Sequence, residues 1–139
     1  MNLYSIECGN FKLDGGAMFG VVPKPLWERT NPADSQNRIK MATRSLLIED
    51  GKKLILIDCG LGDKQNEKFF SHFDRWGRFS LVSSLEKKGF SPDDVTDVVF
   101  THLHFDHCGG AIIYNKKVFL SLFLRTLPFG VIKSIGNGR

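Results

Sequence analysis

Residues 101–110 read THLHFDHCGG, which places three of the chain's four histidines, His102, His104 and His107, within six positions, with Asp106 directly before the last. Imidazole nitrogen and carboxylate oxygen are donors for a borderline divalent ion such as Zn2+, and also for Mn2+ or Fe2+. One ion could hardly take all four from so short a loop. Two adjacent ions could, with His102 and His104 on one and Asp106 and His107 on the other. Such a pair holds a water, lowers its pKa toward neutrality, and polarises the carbonyl or phosphoryl group under attack. The competing explanation is a hydrogen-bonded structural histidine at a strand end. That serves for one imidazole, but three with an interposed aspartate crowd like charges unless a cation organises them as neutral ligands. The fourth histidine, His72, sits among Phe69, Phe70 and Phe73 and reads as a core-edge residue without a role.

The elements that must position this loop are legible upstream. Val95 to Thr101 reads as a buried strand ending where the cluster begins. If that strand continued briefly, His102 and His104 would project to one side and Leu103 and Phe105 would anchor the loop from the other. Ala42–Ile48 and Lys53–Asp58 read as two strands around Asp50-Gly51, a hairpin signal. The run LILID is nearly continuous apolar, as in a strand covered on both faces, and it delivers Asp58 to a glycine-rich exit, CGLG. Helical spacing is expected from Asp63 to about Phe73 and from Leu81 to Lys88, where Gly89 stops it, and Ser91-Pro92-Asp93-Asp94 caps a short turn. Near the start, Leu3–Leu13 is strand-like and Asp14-Gly15-Gly16 a turn, followed by a short apolar run, Met18–Val22. The stretch PKPLWERTNPADSQN reads as a long surface loop, either a plain insertion or a lip over a substrate pocket carrying Trp27. Hairpin, helices, then a strand feeding a loop is half of a layered α/β arrangement.

The bulk numbers bound the function class. A chain of 139 residues with 42% hydrophobic and 24% charged residues supports one globular domain. Its formal charge of +4 does not mark a nucleic-acid binder, because residues 1–115 hold fourteen basic against fifteen acidic groups. The excess lies in the last 24 residues, with five basic side chains and no acidic one, mixed among Leu, Phe and Ile rather than forming a stripe. Cys8, Cys59 and Cys108 form no CxxC pair and are expected as reduced residues of a cytoplasmic protein. No signal peptide is visible and no apolar run is long enough to span a membrane, so neither nucleic acid nor membrane is an expected partner.

With those residues in view, THLHFDHCGG resembles the HxHxDH signature of the metallo-β-lactamase superfamily, and LILIDCGLG resembles that family's earlier strand ending in Asp-x-Gly. DGGAMFGVVPK, the long loop and SLLIEDGKKLILIDCG are similar to the branch of bacterial hydrolases that includes quorum-quenching lactonases. The resemblance covers roughly residues 1 to 115. It implies an α/β fold, a four-layer αββα sandwich present as its N-terminal half, with a dinuclear centre in a groove at one edge of the sheets. It implies Zn2+ as the metal, Asp106 positioning the attacking hydroxide, and Asp58 orienting the histidine loop through hydrogen bonds rather than coordinating. Histidine rather than glutamate at position 104 speaks for the hydrolases over the oxygen-reducing diiron branch. The implied activity is hydrolysis of a lactone, ester or thioester-type bond in a small-molecule substrate.

The family completes its site with a further histidine on the first ion, a bridging aspartate, and a last histidine on the second. From Cys108 to Arg139 there is no His, Asp or Glu. The alternative expectation is therefore a truncated, non-catalytic product that binds metal weakly or not at all, with an uncovered half-sandwich that oligomerises or aggregates. The tail from residue 116 to 139 fits neither a continued sandwich nor a clean amphipathic helix, and its use as a membrane-surface anchor is the least supported idea. Its change of pattern at Lys116-Lys117 suggests a reading-frame shift. Codons for TLPFGVIKSIGNGR can be chosen so that the same bases, read one nucleotide earlier, spell NATFWSNKKHWEWA.

Overall fold

The computed structural model describes residues 1–77, 80–115, 118–122 and 130–131, with side chains through Ile112. Among the described residues its centre is a five-stranded mixed sheet in the order β1 (Asn2–Asp14), β2 (Arg38–Asp50), β3 (Lys53–Ile57), β4 (Asp97–Phe100) and β7 (Gly130–Val131). Strands β1 (Asn2–Asp14) and β2 (Arg38–Asp50) pair antiparallel along almost their whole length, with a bulge between Glu7 and Gly9. β2 turns into β3 (Lys53–Ile57) through Gly51-Lys52. Gly51 has φ 60, as the first central position of a type II′ hairpin turn requires. β3 then pairs parallel with β4 (Asp97–Phe100), so the two strands end side by side at one edge of the sheet.

Alternation along these strands decides which face is covered. Ile6, Leu47, Leu56 and Val98 point to one face and are buried together with Leu54, Phe100 and Leu85. Helix α4 (Leu81–Glu86) closes that face. It starts at a reciprocal cap, Ser80 Oγ accepting from Ser83 N and Ser83 Oγ accepting from Ser80 N, each at 3.2 Å. It ends in a Schellman turn in which Phe90 N donates to Leu85 O at 3.1 Å and Gly89 N to Glu86 O at 2.9 Å. Leu85 is fully buried and contributes roughly 2 kcal/mol of apolar burial. The other face carries Leu3, Leu46, Ile48, Ile55, Ile57 and Val99. Leu3 and Leu46 remain 59% and 40% exposed.

Several expectations shift in detail. Asp14 opens helix α1 (Gly15–Phe19) rather than a simple turn, its Oδ1 accepting from Ala17 N at 2.7 Å. The proline-rich loop contains a short helix, α2 (Lys24–Trp27), whose Trp27 is 5% exposed and stacks on Phe19 at 5.0 Å. That ring is spent on holding the α1–α2 corner. The helix expected from Asp63 shortens to α3 (Glu67–Ser71), because Asn66 caps it with its Oδ1 on Phe69 N at 2.9 Å. His72 follows α3 and is exposed, not at a core edge. The turn at Pro92–Asp94 forms as a single 3-10 turn.

Beyond β4, helix α5 (Phe105–Cys108) and a 3-10 turn at Gly109–Ala111 lead into a small antiparallel pair, β5 (Ile112–Asn115) with β6 (Val118–Leu122). The two-residue β7 (Gly130–Val131) pairs parallel with β4. Those backbone segments aside, the expected aberrant tail lies outside the described residues. Among the described residues no helix is long and apolar enough to cross a membrane.

Candidate metal centre

The site is assembled where the parallel strands β3 and β4 end, the edge at which open α/β sheets present ligand-binding loops. Asp58 follows β3 directly and is held there by its own N–H, which donates to Val99 O at 2.9 Å. Its φ is 60, a left-handed conformation that aspartate tolerates better than bulkier residues. The carboxylate is buried, with its residue 8% exposed. It accepts from Thr101 N on Oδ1 at 2.8 Å, from Thr101 Oγ1 on Oδ2 at 2.7 Å, and from His107 Nδ1 on Oδ2 at 2.8 Å. One aspartate thus ties the end of β4 to the middle of the histidine loop.

The loop itself does not continue the strand. β4 stops at Phe100, so period-two alternation is not what sets the histidine directions. Leu103 is 65% exposed and anchors nothing. Of the two apolar side chains, Phe105 is the one that anchors the loop, entering an aromatic cluster with Phe73 at 4.6 Å, Phe69 at 5.6 Å and Phe11 at 6.3 Å between ring centroids. Turning into α5 at that point brings the three imidazoles together. His102 lies 3.9 Å from His107 and 4.6 Å from His104, centroid to centroid.

A second tether comes from backbone contact between the β3 exit and the end of the loop. Cys59 N donates to His107 O at 2.6 Å and Gly110 N to Gly60 O at 3.0 Å. The segments approach so closely that a Cβ on Gly110 would collide with Cys59 O, and one on Gly109 with Leu61 O. Lys64 Nζ adds a bond to Gly109 O at 2.6 Å. The glycines of CGLG and HCGG are therefore the two sides of one seam. Thr101 is the structural residue that sequence spacing misses, and its place between a buried strand and the first histidine is the one signal for it, whereas Phe105 anchors the loop as expected.

The donors fit a divalent metal in kind, and one pair of them fits in spacing. His107 Nε2 stands 3.6 Å from Asp106 Oδ2, close to the roughly 3.4 Å between two ligands of a tetrahedral zinc. Among the described residues no three His, Cys, Asp or Glu groups are arranged so that they could hold an ion together. The metal reading therefore rests on donor chemistry and on pairs. A cavity of about 370 Å³ opens nearby, lined among others by Cys8, Cys59, Arg75, Trp76 and Ser80, but it includes none of the histidines. It is not where the donors converge.

Comparison with known proteins bears on the fold and the family. The N-acyl homoserine lactonase of Bacillus cereus is 29% identical over 84 residues, covering 53% of this chain and 34% of that enzyme. Metallo-beta-lactamase domain-containing protein 1 of Xenopus laevis is 45% identical over 45 residues, 32% of this chain and 19% of that one. Among solved structures, a probable metal-dependent hydrolase from Staphylococcus aureus superposes with a TM-score of 0.74 at 38% identity, covering 79% of this chain and 40% of the other. The dizinc quorum-quenching lactonase AidC gives a TM-score of 0.63 at 27% identity, covering 90% and 39%. The chain thus spans two fifths or less of the length of each of these relatives. Residues 39–117 match the Metallo-beta-lactamase superfamily, and with the histidine loop and its sheet edge inside that span, the chain belongs to that superfamily.

Proposed function

We propose that this chain is the metal-loop portion of a dizinc hydrolase that opens a lactone, ester or thioester-type bond in a small molecule, in the cytoplasm. The observation that carries it is the packing of His102, His104 and His107 against one another beside Asp106, with the cluster braced by buried Asp58. The names of its relatives, which include N-acyl homoserine lactonases, support the substrate class. Three free thiols support a reducing compartment.

In this reading His102 and His104 would hold one ion, and Asp106 and His107 the other. Bound metal would supply Lewis acidity and lower the pKa of water toward neutrality. Asp106 would orient the attacking water toward the acyl carbon. Water adds there, the acyl C–O or C–S bond breaks, and the leaving oxygen or sulfur takes up a proton. Asp58 touches no substrate. Its task is to keep His107 and the start of the loop in place.

A second reading is a truncated, non-catalytic product that binds metal weakly or not at all, favoured by the absence of a three-donor group among the described residues. Assays of the zinc-equilibrated chain on an acyl homoserine lactone and a thioester separate the two. Turnover abolished by chelation and by Asp106→Asn supports the hydrolase; weak zinc uptake or none, without turnover, supports the second reading. Residues 1–115 are taken as the N-terminal half of the domain and 116–139 as a frame-shifted tail, on the change of pattern at Lys116-Lys117. The gene's nucleotide sequence tests this, and a shifted frame closed by early stop codons would remove it.

A further inference from the structure

We propose that Thr101 is a positioning residue that fixes the imidazole tautomer of His102, and with Asp58 that of His107, so that both rings offer Nε2 as the free lone pair. The inference rests on the metal reading for its purpose, but not for its geometry.

A hydroxyl has a single proton and two lone pairs. Thr101 Oγ1 lies 2.7 Å from Asp58 Oδ2, and a carboxylate can only accept, so the hydroxyl proton is committed there. The same oxygen lies 3.1 Å from His102 Nδ1. With its proton already used, Oγ1 can only accept from that nitrogen. His102 therefore carries its hydrogen on Nδ1, and Nε2 is left with a lone pair. His107 Nδ1 lies 2.8 Å from the same carboxylate oxygen and 3.3 Å from Thr101 Oγ1, and both partners can take a proton from it. Its Nε2, 3.6 Å from Asp106 Oδ2, is likewise the lone-pair atom on the side of a candidate ligand.

The backbone makes the hydroxyl's position reliable. Thr101 N donates to Asp58 Oδ1 at 2.8 Å, so main chain and side chain of the threonine grip opposite oxygens of one buried carboxylate. A serine would keep this arrangement. A valine, of nearly the same shape, would keep the packing and remove the acceptor.

Two-bond proton–nitrogen spectra of the metal-free, 15N-labelled chain, taken well above the ordinary histidine range, report each tautomer directly. The wild type is expected to show His102 and His107 with the hydrogen on Nδ1. Thr101→Val should move His102 to a majority with hydrogen on Nε2, leave His107 on Nδ1 through Asp58, and weaken zinc binding about tenfold. Thr101→Ser should restore the wild-type pattern. A wild-type His102 with its hydrogen on Nε2 would overturn the proposal, and so would an unchanged His102 in the valine variant. If the valine variant does not fold, the wild-type and serine spectra decide alone. Wild-type tautomers as expected in a chain that takes up no zinc would sink the proposed function and leave this inference standing.

Discussion

His107 Nδ1 and Asp58 Oδ2 meet at 2.8 Å across 49 residues of sequence, joining the end of one parallel strand to the loop that leaves its neighbour. Removing that carboxylate strands two further donors, Thr101 N and Thr101 Oγ1. Asp58→Ala is expected to cost about 1–3 kcal/mol from the unsatisfied groups and to weaken zinc binding roughly 10- to 100-fold. Asp58→Asn tolerates the left-handed backbone and keeps one acceptor, so it should unfold at higher denaturant than the alanine variant. Chemical denaturation and zinc titration of both variants check this.

The glycine seam predicts a sharp steric limit. Gly110→Ala drives a methyl group into Cys59 O, a backbone atom that cannot swing aside. Parting the seam would disturb Cys59 N to His107 O, and with it the histidine loop. The variant should lose about 2 kcal/mol or more and show lower metal uptake even where it remains folded. Exposed Gly20 has nothing near its absent side chain but a φ of 56, so alanine there should cost some stability through backbone strain while, lying outside the seam, it leaves metal uptake unchanged.

How much of this could be read in advance follows from range. The hairpin and the apolar strands declare themselves through local patterns, as do Ser80 and Gly89 at the ends of α4. The histidine cluster declares its chemistry by residue type alone. The direction of its rings does not follow, because β4 stops at Phe100 and the turn into α5 is fixed by Phe105 meeting Phe11, Phe69 and Phe73, which are remote in sequence. The helix expected from Asp63 shortens for a similar reason. Lys64 reaches Gly109 O, and the chain around it follows the seam instead of its local helical preference.

Acid sensitivity should centre on Asp34. Its carboxylate accepts from Arg38 N at 3.0 Å and Gln36 N at 2.9 Å, and meets the Arg38 and Lys12 side chains at 3.0 and 3.2 Å. Chiefly the Arg38 backbone N–H, with the Arg38 side chain, holds it well below the usual carboxylate range. A depressed folded-state pKa stabilises the protein above the unfolded carboxyl value and is lost as pH falls below about 4. Asp34→Asn should lower stability at neutral pH and flatten the loss between roughly pH 4 and 2, as thermal unfolding across that window would show.

The three thiols should react unequally. Burial pushes Cys59 up to about 12 and raises Cys8 as well, while Cys108 is only half-buried. A small thiol reagent at mildly alkaline pH is expected to label Cys108 first, with Cys8 and Cys59 reacting only on unfolding. Mass spectrometry of the labelled peptides reads the order.

The central claim is that the knot of imidazoles beside Asp106 grips a divalent ion. Equilibrium dialysis of the full chain against zinc, with metal counted per chain for the wild type and for the variant carrying His102→Ala, His104→Ala and His107→Ala together, tests it most directly. Zinc should be retained by the wild type and lost from the triple variant while the fold, followed by circular dichroism, persists. Equal retention by both, or none by a folded wild type, would contradict it.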